Sequence, residues 1–260
     1  MKANARIESI FSYAVAMDNR GLRNTIHCIG PEIFIVNSDH SAILRFSLRK
    51  NELEFDSPMS FNAADYDSPN FEIQDGKIIF KTVEGNYERK KICTLAGYDP
   101  EDIRKIYRKH FKTGKDMDFS FYLSKDCCPL LDEQLSHTEI SVEKGKLILR
   151  QRNVYSGTIV EVTSKSKGLI DEGDLPDSFG PVGLKTKDFI GLFTYCDSLS
   201  FHPVGDFLIV KDHRKRDFDG ILAFCKYDEI IGMFEEEEEK EEETDGRKKQ
   251  KVRRNKQKAD

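Results

Sequence analysis

Acidic and lysine side chains lie close together in one part of the sequence, where they could hold a metal ion for phosphodiester cleavage. Asp75 is followed at a short distance by Glu88, Arg89 and Lys90, an acid and then an E-x-K pattern. Two carboxylates can bind a divalent cation, and a nearby lysine can stabilise charge on a phosphate. A chain with 46 acids and 41 bases produces such spacings by chance, so we favour solvent-exposed strand faces over a metal-dependent nuclease.

The sequence contains no other catalytic pattern. Thr113, Gly114 and Lys115 lack both the leading glycine and the final hydroxyl of a P-loop, and neither G-x-G-x-x-G nor G-x-S-x-G occurs. The six histidines show no H-x-x-x-H spacing and the six cysteines no C-x-x-C pair, which favours buried, reduced thiols over a metal site. We therefore expect no enzymatic activity, no cofactor and no bound metal.

Charge is distributed unevenly along the chain. The formal net charge of −5 argues against a protein that coats nucleic acid by bulk attraction. Residues 235–260 form an acidic block followed by a basic one with almost no apolar side chain, which predicts a disordered tail. No apolar run is long enough to span a membrane, and the start lacks a signal-peptide pattern. We expect an intracellular protein, cytoplasmic or nuclear and not secreted.

The hydrophobic pattern changes from helical to strand period and then does so again. A predicted helix at 4–18 precedes strands at 25–29, 33–36, 42–48, 71–73, 78–83 and 87–95. A second predicted helix at 124–135 precedes strands at 139–142, 147–150 and 158–162, then a helix at 187–199 and strands at 207–211 and 220–225.

The two series match in spacing. Gly30 and Gly145, at the first turn of each series, are 115 residues apart, and Ile43 and Ile159 in the third strands are 116 apart. This spacing indicates an internal duplication of a helix followed by a β-meander. We predict an α+β protein with weakly similar domains at 1–95 and 116–234, a basic, aromatic linker at 96–115, and the tail at 235–260.

Three segments resemble the DNA sliding clamps of the proliferating-cell-nuclear-antigen type, including phage polymerase clamps. Residues 33–49 are similar to a strand, polar turn and strand of the first clamp domain, 188–196 to the last inner helix, and 221–225 to the closing strand. The resemblance implies helices on the inner face of a ring, antiparallel sheets outside, and a homotrimer. It implies a processivity factor that encircles double-stranded DNA without sequence specificity, tethers a DNA polymerase, and is placed on DNA by a clamp loader.

The resemblance also implies three groups of functional residues. Those expected to face DNA, on or beside predicted helices, are Arg6, Arg20, Arg23, Lys125, Lys185 and Lys187. Those expected to line an apolar partner-docking pocket are Val36, His40, Ile103, Ile106, Tyr107 and Tyr227. Those expected at the subunit interface, where strand 87–95 would pair with the neighbour's strand 156–163, are Tyr87, Arg89, Lys91, Thr158, Val160 and Val162.

The sequence departs from the clamp pattern in several places and leaves a second class of function open. Residues 62–69 are too short for a second inner helix, the predicted inner helices carry few bases, and the linker is unusually basic. The alternative is a non-enzymatic structural or interaction protein, such as a viral component, with a duplicated β-rich domain. That alternative predicts that strands 87–95 and 156–163 both lie inside the core of one subunit.

Overall fold

Fifteen strands and three α-helices make up the part of the chain that the computed structural model describes, residues 5–17, 24–49, 55–113, 119–153, 155–163, 176–212 and 217–225. The first half contains α1 (Ala5–Met17), β1 (Asn24–Gly30), β2 (Glu32–Asn37), β3 (Ala42–Ser47), β4 (Phe55–Asn62), a 3-10 helix (Ala63–Asp65), β5 (Phe71–Gln74), β6 (Lys77–Glu84) and β7 (Tyr87–Thr94). The connecting helix is α2 (Pro100–Thr113). The second half contains β8 (Phe121–Ser124), a 3-10 helix (Lys125–Leu130), β9 (His137–Glu143), β10 (Lys146–Arg152), β11 (Ile159–Thr163), β12 (Ser178–Lys185), α3 (Thr186–Tyr195), β13 (Ser198–Val204), β14 (Phe207–Asp212) and β15 (Phe218–Ala223).

A central eight-stranded sheet joins the two halves. Its strand order is β4-β1-β2-β3-β15-β14-β13-β8, and its neighbouring strands are antiparallel. The halves meet where β3 pairs with β15, with Ile43 opposite Ile221. Because the hydrogen-bond ladder crosses this junction, the two halves share one sheet and are not separate cores.

Two smaller antiparallel sheets flank the central one, with the strand orders β5-β6-β7 and β11-β10-β9-β12. Strand β7 pairs with β6, and β11 pairs with β10. Among the described strands, neither β7 nor β11 has a second partner. Each therefore presents one open edge of backbone N–H and C=O groups.

The order of elements is similar in the two halves. Helix α1 precedes β1, β2 and β3, and the 3-10 helix Lys125–Leu130 precedes β9, β10 and β11. Gly30 and Gly145 both occupy the first hairpin turn of their series and have φ of 52° and 69°. A turn that requires positive φ at both positions explains why glycine recurs there.

The helices α1 and α3 pack together on one face of the central sheet. The Tyr13 hydroxyl donates a hydrogen bond to the Gly191 carbonyl (3.1 Å), joining the two helices. A Cβ at Gly191 would lie 2.0 Å from the Met17 Cε, so glycine permits this close approach. Aromatic rings fill the space below, including Phe121 stacked on Phe201 at 5.3 Å. No helix in the described residues is long and apolar enough to cross a membrane.

The helix predicted over 124–135 is wrong. Only the 3-10 helix Lys125–Leu130 forms, with the Ser124 hydroxyl accepting a hydrogen bond from the Asp126 backbone N–H. Pro129 has no N–H to donate and its ring blocks continuation of an α-helix. The reduced second helix of the first half is confirmed as the 3-10 helix Ala63–Asp65.

The segment predicted as a surface linker is mostly a helix, α2. Asp99 accepts a hydrogen bond from the Glu101 backbone N–H (2.9 Å), and Pro100 occupies the first helical position. An acidic N-cap followed by proline favours a helix start. Ile103, Tyr107 and Phe111 follow at i, i+4 and i+8 and pack onto the outer face of the central sheet.

Candidate functional site

A cleft of about 480 Å³ lies where the start of α2 approaches β1, β2 and β4. Val36, His40 and Ile103 line it together, although they come from a strand, a turn and the connecting helix. His27 and Tyr98 lie beside them. The structure therefore brings three of the six residues named for partner docking to one cleft, and their role in binding stays a prediction.

The turn that carries His40 is fixed by hydrogen bonds from both sides. His40 has φ of 59°, and the Asn37 side-chain carbonyl accepts a hydrogen bond from the Ala42 N–H (2.9 Å). The Asp188 carboxylate on α3 accepts hydrogen bonds from the Asn37 amide (3.1 Å) and the Ser41 hydroxyl (2.9 Å). Burial raises the pKa of Asp188, while these two donors oppose the shift. The rim of the cleft is therefore rigidly tied to the helical face of the sheet.

His27 contributes a neutral, buried ring to the cleft wall. Its Nδ1 lies 2.7 Å from the Ser60 hydroxyl oxygen, and that hydroxyl donates to the Tyr98 carbonyl (2.9 Å). Since the single Ser60 proton is used on the carbonyl, the Nδ1–H of His27 must be the donor in the other bond. Burial, and secondarily the nearby His40, lower the pKa of His27 to about 4. The cleft is thus suited to an uncharged or partly apolar segment.

The other residues named for docking lie elsewhere. Tyr107 is 1% exposed and belongs to the core beneath α2, with its ring 5.5 Å from Phe34 and stacked on Phe111 at 5.2 Å. Ile106 is exposed on the outer side of α2. Tyr227 lies outside the described residues.

A buried charged network holds α2 on the sheet. The Tyr107 hydroxyl donates to Asp219 Oδ1 (2.5 Å), and Arg45 Nε donates to the same oxygen (2.8 Å). Arg45 also contacts Glu32 at 3.2 Å. Burial, reinforced by the Asp219 charge, raises the pKa of Tyr107, so its hydroxyl stays protonated. This network is not visible in the sequence, because its members are far apart along the chain.

The bases named for DNA contact are largely paired within the protein. Arg6 on α1 contacts the Asp217 carboxylate and donates to the Ser47 carbonyl, both at 2.8 Å. The remaining described members are Lys125, which pairs with Asp197 at 2.5 Å, Lys185, which pairs with Asp39, and Lys187, which is exposed in the first turn of α3. Arg20 and Arg23 lie outside the described residues. Three of the four named bases that can be placed are therefore paired with acids of the protein itself, and their contact with DNA stays a prediction.

The residues named for the subunit interface lie at the two open edges. Tyr87, Arg89 and Lys91 are on β7, where Arg89 pairs with Asp67 (2.6 Å). The second set is Thr158, just before β11, and Val160 and Val162 within it. Their part in assembly stays a prediction.

Large apolar side chains are exposed at both edges. Tyr87 is 82% and Ile92 60% exposed on β7, and Ile159 is 57% exposed on β11. An open strand edge with apolar side chains beside it is a template for pairing with another chain.

The acidic side chains considered for nuclease chemistry do not meet at one site. Asp75 is in the β5–β6 turn with φ of 50°, while Glu88 and Lys90 lie 3.8 Å apart on the exposed face of β7. No group of three metal-ligating side chains occurs within the described ranges. The geometry gives no support to a metal-dependent nuclease.

Solved structures with the same architecture are sliding clamps. The β clamp of Helicobacter pylori in complex with 5-chloroisatin matches with a TM-score of 0.60 and 12% identity, over 87% of this chain and 65% of that one. The same clamp bound to a DNA ligase peptide gives the same values. A PCNA2–PCNA3 complex from Sulfolobus tokodaii matches with a TM-score of 0.52 and 13% identity, over 82% of this chain and 95% of that one.

Sequence comparison adds nothing to this likeness. No family model matches the sequence, and no curated protein matches it. The chain spans 65% of the length of the H. pylori clamp. Identities of 12–13% bear on the fold and not on the activity. The fold class expected from the sequence is confirmed: this chain has the mixed helical and antiparallel-sheet fold of the sliding clamps.

Proposed function

We propose that this chain is one subunit of a DNA sliding clamp, a non-enzymatic processivity factor that encircles duplex DNA inside the cell. The observation that carries the proposal is the pair of open strand edges, β7 in one half and β11 in the other, each with exposed apolar side chains. The competing structural-protein hypothesis requires both strands to lie in the core of one subunit, with a partner on each side. Among the described strands, β7 pairs only with β6 and β11 only with β10.

The two open edges are on different strands in different halves of the chain, which favours a ring. When β7 of one copy pairs with β11 of the next, backbone hydrogen bonds extend one sheet across the interface. The exposed apolar side chains beside the two strands then face the neighbouring copy. Such a head-to-tail contact closes a ring if the rotation per copy divides a full turn. Three copies, each contributing two helix-and-meander halves, give the six repeats that the clamp likeness implies.

A sparse positive lining agrees with a ring that slides. Topology keeps the duplex in a closed ring, so the inner surface needs only enough charge to centre it through phosphate contacts. Arg6 and Lys187, on the paired helices α1 and α3, are the described bases we assign to that surface. Ion pairs such as Lys125 with Asp197 reduce its charge further.

The cleft formed by Val36, His40 and Ile103 is our candidate for docking a polymerase or loader segment. A short peptide with apolar anchors fits a cavity of about 480 Å³ with a neutral wall and a polar rim. The DNA ligase peptide on the H. pylori clamp shows that a clamp of this fold binds a partner peptide.

Light scattering and polymerase assays test the proposal together. The wild-type chain should have three times the 29.9 kDa chain mass and should stimulate a cognate polymerase on primed circular DNA. Ile92→Glu places a charge at the β7 edge and should reduce the mass to that of one chain. Ile106→Glu, also at an exposed isoleucine but outside both edges, is the matched control and should keep the assembled mass.

A second substitution separates partner docking from assembly. His40→Glu at the exposed rim should keep the assembled mass but lower polymerase stimulation several-fold, because a charge is added beside the peptide. A wild-type chain that is monomeric at every concentration and leaves the polymerase unaffected would falsify the clamp proposal.

A further inference from the structure

The outer face of α2 is basic in a chain that is acidic overall. The helix carries five Lys and Arg against two acids, while the whole chain has a formal charge of −5. Lys105, Arg108 and Lys109 are exposed, and their i, i+3 and i+4 spacing places them on one side of the helix. We call these three residues the basic face of α2. It lies opposite the side that buries Tyr107.

The neighbouring acids neutralise this face only in part. Lys105 pairs with Asp102 at 3.0 Å, but both side chains are largely in water, where such pairs are weak. Arg108 contacts the buried Glu32 carboxylate at 3.2 Å. The same carboxylate also contacts Arg45 at 3.2 Å and Arg104 at 3.8 Å. Arg45 is also paired with Asp219, and Arg104 with Glu101 at 2.6 Å. Even with Glu32 added, α2 carries five bases against three acids, which leaves excess positive charge on the outside of the helix.

The last described strand ends beside this helix. Ala223, the last residue of β15, is opposite Phe207, and the Phe207 ring lies 5.3 Å from the His110 ring on α2. Nine residues, 226–234, then lead to the acidic block 235–243, which contains eight glutamates and one lysine. Nine extended residues reach about 30 Å, whereas a helix of fourteen residues is about 21 Å long. The acidic block can therefore reach every turn of α2.

We propose that residues 235–243 of the chain's own tail dock on the basic face of α2. Opposite charge makes the contact favourable, and the short tether gives the tail an effective concentration in the millimolar range, so individually weak ion pairs are sufficient. A free acidic partner or a nucleic acid lacks that advantage. The docked tail covers the outer surface of the connecting helix, and this conclusion does not depend on the clamp proposal.

Zero-length carbodiimide crosslinking tests the contact directly on the full chain, because it joins carboxylates to lysine amines only when they touch. Peptide mapping should find Lys105 and Lys109 joined to glutamates of 235–243, and at 0.5 M salt the yield should fall about fivefold as the charges are screened. Lys146, exposed at the start of β10, is the internal control and should give much lower yield. Crosslinks spread equally over Lys146 and the α2 lysines would overturn the proposal.

Two further measurements decide whether the chain's own tail is what binds the basic face of α2. A mixture of ¹⁴N- and ¹⁵N-labelled protein separates crosslinks within one chain from those between chains, and mixed-isotope products as the main species would contradict docking within one chain. The variant Lys105→Glu/Lys109→Glu should expose the tail, so that glutamyl endopeptidase cleaves within 235–243 several times faster than in wild type. Unchanged cleavage, or salt-sensitive binding of duplex DNA to this face in the full chain, would refute tail docking.

Discussion

Removing the Tyr107 hydroxyl tests whether the buried network anchors the connecting helix. Tyr107→Phe keeps the ring against Phe34 and deletes only the donor to Asp219 Oδ1 at 2.5 Å. A hydrogen bond to a buried charged acceptor contributes about 1.5–3 kcal/mol to stability. Because Arg45 still pairs with the Asp219 carboxylate, no charge is left alone and the lower half of that range applies. We expect a loss of about 1.5–2 kcal/mol in the free energy of unfolding.

Urea denaturation and hydrogen exchange measure this effect. For a chain of this size, the loss corresponds to a fall of about 3–8 °C in the melting midpoint. Amide exchange in α2 should accelerate more than exchange in the central strands, since the helix loses its own anchor. Tyr98→Phe is the matched control, because the Tyr98 side chain is exposed, and it should change stability by less than about 0.5 kcal/mol.

The reasoning fails if Tyr107→Phe is as stable as wild type. In that case Asp219 would already be fully satisfied by Arg45, and the short distance to the Tyr107 hydroxyl would carry no energy. It also fails if stability falls while exchange accelerates equally in all elements. That result would make the network a general core contact and not a helix anchor.

Two other predictions follow from buried or constrained positions. Burial lowers the folded-state pKa of His27 to about 4, below its usual value near 6.5, so its stabilising contribution is complete above pH 6.5 and is lost as pH falls from 6.5 to 4. His27→Gln should flatten the pH dependence of the free energy of unfolding across that window by up to about 3 kcal/mol, and an unchanged slope would contradict a neutral buried imidazole. Gly180→Ala places a Cβ 2.6 Å from the Ile140 carbonyl oxygen at a φ of +76° and should cost at least about 2 kcal/mol. Gly157→Ala, at a φ of +66° with no atom within 4 Å, should cost only about 1 kcal/mol, and equal losses would show that the contact with Ile140 is harmless.

Periodicity was sufficient to predict the elements that bury one face. Helix α1 and helix α3 have apolar residues at helical spacing, and the hairpin turns at Gly30 and Gly145 are marked by glycine. These local signals indicate element type because each element buries one face in the protein core. Residue types alone therefore predicted most elements of the first half, but they did not predict β4, β8, β12 and β13.

The connecting helix shows why a local pattern can be misjudged. Its charged residues indicated an exposed linker, but the stripe Ile103, Tyr107 and Phe111 and the Asp99–Pro100 start were helical signals present in the same segment. The error at 124–135 has the opposite cause. Apolar spacing favoured an α-helix there, while Pro129 removed a backbone donor and blocked it.

The candidate cleft could be named from the clamp likeness but not from residue patterns. Val36, His40 and Ile103 are separated by up to 67 positions and meet only because β2 and α2 pack on the same end of the central sheet. The ion pairs between Arg45, Asp219 and Glu32 likewise depend on the β3–β15 pairing. Contacts set by strand order are not visible in any local window of sequence.

The shared central sheet determines where this chain can bind another copy of itself. Because β3 and β15 pair across the two halves, and Tyr13 joins α1 to α3, substitutions at that junction should unfold the chain. The edges of β7 and β11 belong to separate small sheets and contribute little to the common core. A charge at Ile92 therefore separates assembly from folding: the mass should change while the melting midpoint of the isolated subunit does not. If that substitution unfolds the chain, β7 is part of the core and the open-edge argument for a ring is wrong.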